Sequence, residues 1–130
     1  MEITLKALVL VSIGGAIGAP SRFALSVLIT RALSQPAFPY ATLAVNTLGS
    51  FLLAFLTWTV AGRFGMTSSA RILLGTGLMG AFTTFSTFSV ESVLLIDESR
   101  YQSAITYMTV SVLLCVAAAF AGMHAARTLA

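Results

Sequence analysis

The stretch from Gly75 to Glu91, GTGLMGAFTTFSTFSVE, holds the densest chemistry in the chain. Phe85 and Phe88 stand at i and i+3, so both rings face one side of a helix. On spacing alone, such a pair reads as lipid-facing or core. Ser86, Thr87 and Ser89 surround the rings, however, and Glu91 lies one turn beyond Phe88. A benzene ring has a negative face and a positive edge, and hydroxyls donate hydrogen bonds. Together they suit a small, desolvated anion. The preceding glycines and the threonines lower helix propensity, which predicts a helix break between Gly80 and Thr83. Broken ends at membrane depth are tolerated where protein, water or an ion satisfies them. Their amide-rich N-termini attract anions, and their freed carbonyls hold cations.

Other polar residues align with this stretch. Thr42, Asn46, Gly49 and Ser50 fall at i, i+4, i+7 and i+8, one polar and small helix face. Asn46 reads either as a packing contact between helices, worth only ~1–2 kcal/mol, or as a pore-lining amide turned toward an anion. Ser103, Tyr107, Ser111 and Cys115 step by four along another segment, a track of hydroxyls ending in a thiol. A charge at the bilayer centre costs at least ~2.5–3.5 kcal/mol on insertion scales. Arg22 therefore reads as either an interfacial snorkel or a functional cation, and Glu91 as either the centre of a hydrogen-bond network or part of ion passage. His124 reads as interfacial. Gly14-x-x-x-Gly18, with Gly15 and Ala19 beside it, permits close helix approach.

The elements that must position these residues are set by composition. Of 130 residues, 58% are hydrophobic and only 8% charged, against roughly 25% charged in a soluble domain. Mean hydropathy is +0.97. A water-soluble enzyme domain is excluded. Seven Lys/Arg against four Asp/Glu form no cationic run, which excludes nucleic acid as the partner. The single cysteine can build neither an internal disulfide nor, alone, a metal site. Four apolar segments are predicted: about Ile3 to Ile29; from the turn Gln35-Pro36-Ala37-Phe38-Pro39 to Gly62; Arg71 through Glu91 to about Ile96; and about Tyr101 to Arg127. Each is of the length of a spanning helix, not of a barrel strand. Residues 1–130 thus read as one all-α, multi-pass membrane domain of four helices, the third broken near mid-membrane. Lys6 and the apolar run after it loosely imitate a signal peptide, but Glu2 and Ile17 spoil the pattern, so the segment is expected to stay as a helix.

With four spans, Lys6, Arg63, Arg71 and Arg127 share one side of the membrane, against Arg22, Arg31 and Arg100 on the other. Four against three is too small a bias to fix orientation by the positive-inside rule. Either something other than loop charge decides insertion, or copies insert both ways and pair antiparallel.

The chain resembles the small bacterial fluoride channels of the Fluc (CrcB) family. The resemblance is carried by Gly18-Ala19-Pro20-Ser21-Arg22-Phe23, by Thr42-Leu43-Ala44-Val45-Asn46-Thr47-Leu48-Gly49-Ser50-Phe51, and by Thr83-Thr84-Phe85-Ser86-Thr87-Phe88-Ser89 within the Gly77-to-Glu91 stretch. It implies an antiparallel, dual-topology homodimer in the bacterial inner membrane, with two fluoride pathways. It also implies a central, structural Na+ held by the backbone carbonyls of Gly80 and Thr83 from both subunits. By the same resemblance, Phe85 and Phe88 present ring edges to fluoride with Asn46 in the same pathway. Thr42, Tyr107 and Ser111 match the family's polar track. Cys115 stands where a serine is expected, and Ala81-Phe82 replaces a common Gly-Leu pair.

The implied physiology is chemically coherent. Fluoride enters from acidic surroundings as neutral HF and is trapped as the anion inside. A passive pathway lets the membrane potential expel it, at ~2.3 kcal/mol per charge per 100 mV. A small multidrug antiporter has a similar length and topology but needs an acidic residue in its first helix. No carboxylate lies between Lys6 and Arg22.

Overall fold

The computed structural model describes residues 4–34, 37–62 and 67–129. Gln35, Pro36 and Arg63, used above for the first turn and the charge count, lie outside the described residues, as does Ile3. Helix α1 (Leu5–Ala32) is capped by the Thr4 hydroxyl, which accepts from the Ala7 amide. Helix α2 spans Tyr40–Gly62. The third span begins with a short α turn, α3 (Ser68–Ala70), and runs through a π-helical segment (Arg71–Met79) into α4 (Gly80–Phe82). It stops at Thr83 and Thr84 and resumes as α5 (Phe85–Asp97); α6 (Tyr101–Leu129) completes the chain. Four stretches of 28, 20, 30 and 29 residues are long and apolar enough to cross a membrane. Leu8, Val9, Ile13 and Ile17 on α1, and Val112, Leu113 and Val116 on α6, are exposed. Such an outer surface suits lipid.

The helices pack as two pairs. The α6 helix lies along α2, and α1 lies against the π-helical segment and α4. Glycine makes both approaches possible. A Cβ at Gly14 would collide with the Leu73 carbonyl oxygen and the Leu78 amide, and one at Gly18 with the Leu78 carbonyl oxygen. The Gly14-x-x-x-Gly18 motif therefore seats α1 on the backbone of the third span. Gly122 of α6 meets the Phe51 carbonyl of α2 in the same way. The widened π turns were not predicted from sequence. They bring Gly77 against Val11 and Gly14 of α1 and end where the Gly80 amide reaches back to the Gly75 carbonyl, five residues earlier.

The α5–α6 turn is a Schellman motif. Ser99 takes φ 57°, its amide donates to the Ile96 carbonyl at 2.9 Å, and the Arg100 amide donates to the Leu95 carbonyl at 2.8 Å.

Candidate functional site

The third span breaks at Thr83 (ψ 160°) and Thr84 (φ −150°, ψ 112°), both extended. Thr83 is the last residue of the Gly80–Thr83 interval that glycine and threonine content indicates, and Thr84 lies one residue past it. At 1.5 Å per residue, α5 carries the chain about 20 Å from the break to the end of the span, which places the break near the middle of the Ser68–Asp97 stretch. The break is held from outside. Asn46 on α2 donates its Nδ2 to the Thr84 carbonyl at 2.9 Å and accepts the Thr84 amide on Oδ1 at 2.8 Å. One side-chain amide thus satisfies both backbone groups of a residue removed from its helix. Of the two readings of Asn46, the structure displays the contact between helices, with a specific partner; one Nδ2 hydrogen is left over. Gly49, one turn further along α2, leaves room for the Thr83 methyl, which a Cβ there would strike.

Thr84 also caps α5. Its Oγ1 accepts from the Thr87 amide at 3.2 Å, donates to Thr87 Oγ1 at 2.9 Å and lies 3.3 Å from Ser86 Oγ. Phe85 opens the helix with its side chain facing outward, 78% exposed. Its ring centroid is 5.4 Å from that of Phe88. Phe88, half-buried, continues at 5.2 Å to Tyr107. The two phenylalanines are therefore the outer and middle members of a three-ring series. Ser86 and Thr87 are exposed beside Phe85, whereas Ser89 and Ser92 fold back onto the Phe85 and Phe88 carbonyls.

Glu91 joins three helices. Thr42 Oγ1 donates to its Oε1 at 2.8 Å and Tyr107 Oη donates to its Oε2 at 2.7 Å. Two short hydrogen bonds from different helices fix the side chain in place. Thr42 is buried and Tyr107 is fully so, with Phe38 set edge-on to the tyrosine ring at 5.6 Å. Along α6, the predicted track passes from half-buried Ser103 through Tyr107 to buried Ser111 and half-buried Cys115. Ser111 Oγ has no hydrogen-bond partner among the described residues. Cys115 Sγ lies 3.9 Å from Thr47 Oγ1 and lines a cavity with Asn46, Ser50, Thr84 and Phe85.

Arg22 is half-buried on α1, on a helix that packs against the first half of the third span; no polar contact ties it to Glu91 or to the rings. Sequence reasoning missed Thr84 as the clamped residue, and Thr47. The signal for Thr84 was present: Asn46 on one helix and a threonine pair at the break of another.

Gly80 precedes the break by three residues and Thr83 is its first residue. In an unbroken helix the Gly80 carbonyl would accept from the Thr84 amide, but that amide is engaged by Asn46. The carbonyl is thereby released from the ladder, on a residue that is exposed. His, Cys, Asp and Glu form no metal-binding group among the described residues.

Four membrane-length helices around a clamped mid-span break, with rings and hydroxyls at its edge, define a multi-pass membrane protein of the broken-helix transport class. The chain belongs to the CrcB-like family (CrcB-like protein, Camphor Resistance), whose model matches residues 9–123. Among its relatives, a protein of Caulobacter vibrioides named Fluoride-specific ion channel FluC is 46% identical over 122 residues, 92% of this chain and 94% of that one. Proteins of the same name from Idiomarina loihiensis and Phenylobacterium zucineum are 47% and 46% identical. The first match covers 87% of this chain and 86% of that protein, the second 95% and 97%. These relatives are channels and not enzymes.

Proposed function

We propose that the chain forms a fluoride-selective channel that exports fluoride passively and electrogenically from the cytoplasm and so protects the cell from it. It works as an antiparallel, dual-topology homodimer. The observation that carries this reading is the exposed Phe85 ring at the start of α5, beside Ser86, Thr87 and the Asn46-clamped break. Hydroxyls beside an outward ring in mid-span are poorly matched to lipid alone, and together they wall a path when a second copy covers them.

Along that path the residues replace the anion's water. The start of α5 offers the positive end of a helix dipole. Phe85 and Phe88 offer ring edges, and the unpartnered Ser111 hydroxyl offers a donor. Thr42 and Tyr107 hold both oxygens of Glu91, which fixes the side chain in place beside the rings. The released carbonyl of Gly80 and the carbonyl of Thr83, doubled by the second copy, are the hard oxygens that would hold a structural Na+. That ion supplies positive charge at the dimer centre and is not transported.

The test is fluoride efflux from liposomes holding the purified protein. Phe85→Ile and Phe88→Ile each lose a ring edge while keeping apolar bulk, and each is expected to lower the flux roughly tenfold, about 1.4 kcal/mol, with the dimer retained. Undiminished flux in both would remove the rings from the path. For the dimer, two lysines added at one membrane face force a single orientation. Activity is then expected only when an oppositely biased copy is co-expressed, and full activity from the biased copy alone would refute antiparallel pairing.

A further inference from the structure

Resting on the fluoride-channel reading, one feature of the α5–α6 end stands outside the pathway just described. A cavity of about 340 Å³ is lined by Ala37, Phe38, Pro39, Glu91, Glu98 and Arg100 among others. It runs from the end of the third span, where Arg100 and Glu98 stand, inward to Glu91. Asp97 lies six positions after Glu91 on α5, about 9 Å of helix. The cavity therefore joins the membrane surface to the carboxylate beside Phe88 and Tyr107.

Its charges pose a problem for an anion. Glu91 and Glu98 line the cavity, and Arg100 is its only cation among the described residues. Glu98 is the more exposed member of the Glu98–Arg100 pair, with side-chain exposures of 59% and 32%. At 3.4 Å that pair is loose, and such exposed pairs bind weakly. Arg100 is fixed by other means. Its amide is bound in the Schellman turn, its carbonyl accepts from Ala104 at the start of α6, and its Nη1 donates to the Ala37 carbonyl at 2.7 Å. Nη1 carries both of the side chain's hydrogen bonds in the described residues. Of the five guanidinium donors, those on Nε and Nη2 are therefore uncommitted.

We propose that Arg100 is the anion-admitting residue of this mouth: a cation pinned to the Ala37 loop, which offsets the Glu91 and Glu98 carboxylates and draws fluoride through the cavity. A fixed charge at a cleft raises the local concentration of the opposite ion and acts through a field that salt screens. The Debye length falls from about 30 Å at 0.01 M to about 3 Å at 1 M ionic strength, so the contribution of Arg100 falls with it.

The experiment measures initial fluoride efflux at subsaturating fluoride, in proteoliposomes at both ionic strengths, for the wild type, Arg100→Gln, Arg100→Lys and Glu98→Gln. At low ionic strength Arg100→Gln is expected to lose roughly fivefold and at high ionic strength less than about twofold. Arg100→Lys, which keeps the charge and gives up the planar fork, recovers most of the low-salt flux. Glu98→Gln, which leaves the Ala37 tie intact, conducts faster than the wild type at low ionic strength. A loss in Arg100→Gln that is equal at both ionic strengths and not restored by lysine would make the residue a structural tie and overturn the proposal. Slower conduction in Glu98→Gln, or wild-type flux in Arg100→Gln, would also overturn it. A wild type that passes no fluoride would instead sink the channel reading itself.

Discussion

Asn46→Ala is expected to abolish conduction while leaving four helices in the membrane. The substitution removes the acceptor of the Thr84 amide and the donor to the Thr84 carbonyl in one step. Each buried backbone group left unmatched costs about 1–3 kcal/mol, so the broken conformation loses about 2–6 kcal/mol. Every group at the edge of the break depends on that conformation: the Gly80 carbonyl, the Thr84 cap and the outward ring of Phe85. Fluoride flux should fall by more than about thirtyfold, on the scale of tenfold per 1.4 kcal/mol. Asn46→Asp should fail as well, because it keeps the acceptor but turns a carboxylate oxygen toward the Thr84 carbonyl and sets a negative charge near the ion. Liposome flux and size-exclusion profiles of both variants check this. Wild-type rates in either would show that the clamp is dispensable.

The second large effect lies at the α1 contact. Gly18→Leu should prevent assembly, since even its Cβ would strike the Leu78 carbonyl, a backbone atom that cannot rotate away. Overpacking a core costs about 1–3 kcal/mol when side chains can yield, and more is expected here. One helical turn away, Gly15 is a control. A Cβ there meets only the Ala81 methyl, at 3.9 Å, so Gly15→Ala should give a normal yield of monodisperse protein. Loss of yield in both variants would show that general intolerance of α1, not the backbone contact, is responsible.

The four spans are legible in the sequence because apolar length is a requirement of the bilayer that local detail does not override. Helix α2 starts at Tyr40, directly after Pro39, and α6 starts at Tyr101, as the pattern indicates. The break is legible to within one residue, whereas what holds it is not. Gly80 and the threonines after it announce poor helix, but the choice of Thr83 and Thr84 is made by Asn46 on another helix. The π turns are less legible still. They follow from the seating of Gly77 on α1, a tertiary contact with no local periodicity. Partners do not follow from residue types: Glu91 reads as either a network or a pathway residue until Thr42 and Tyr107 are seen on its two oxygens.

The most direct measurement is electrogenic fluoride efflux. Purified protein is reconstituted in liposomes loaded with fluoride, with a potassium ionophore to carry the counter-current and no proton gradient. Rapid efflux that stalls when the ionophore is withheld is the predicted result. Vesicles that keep their fluoride although the protein within them is folded and assembled would contradict the account.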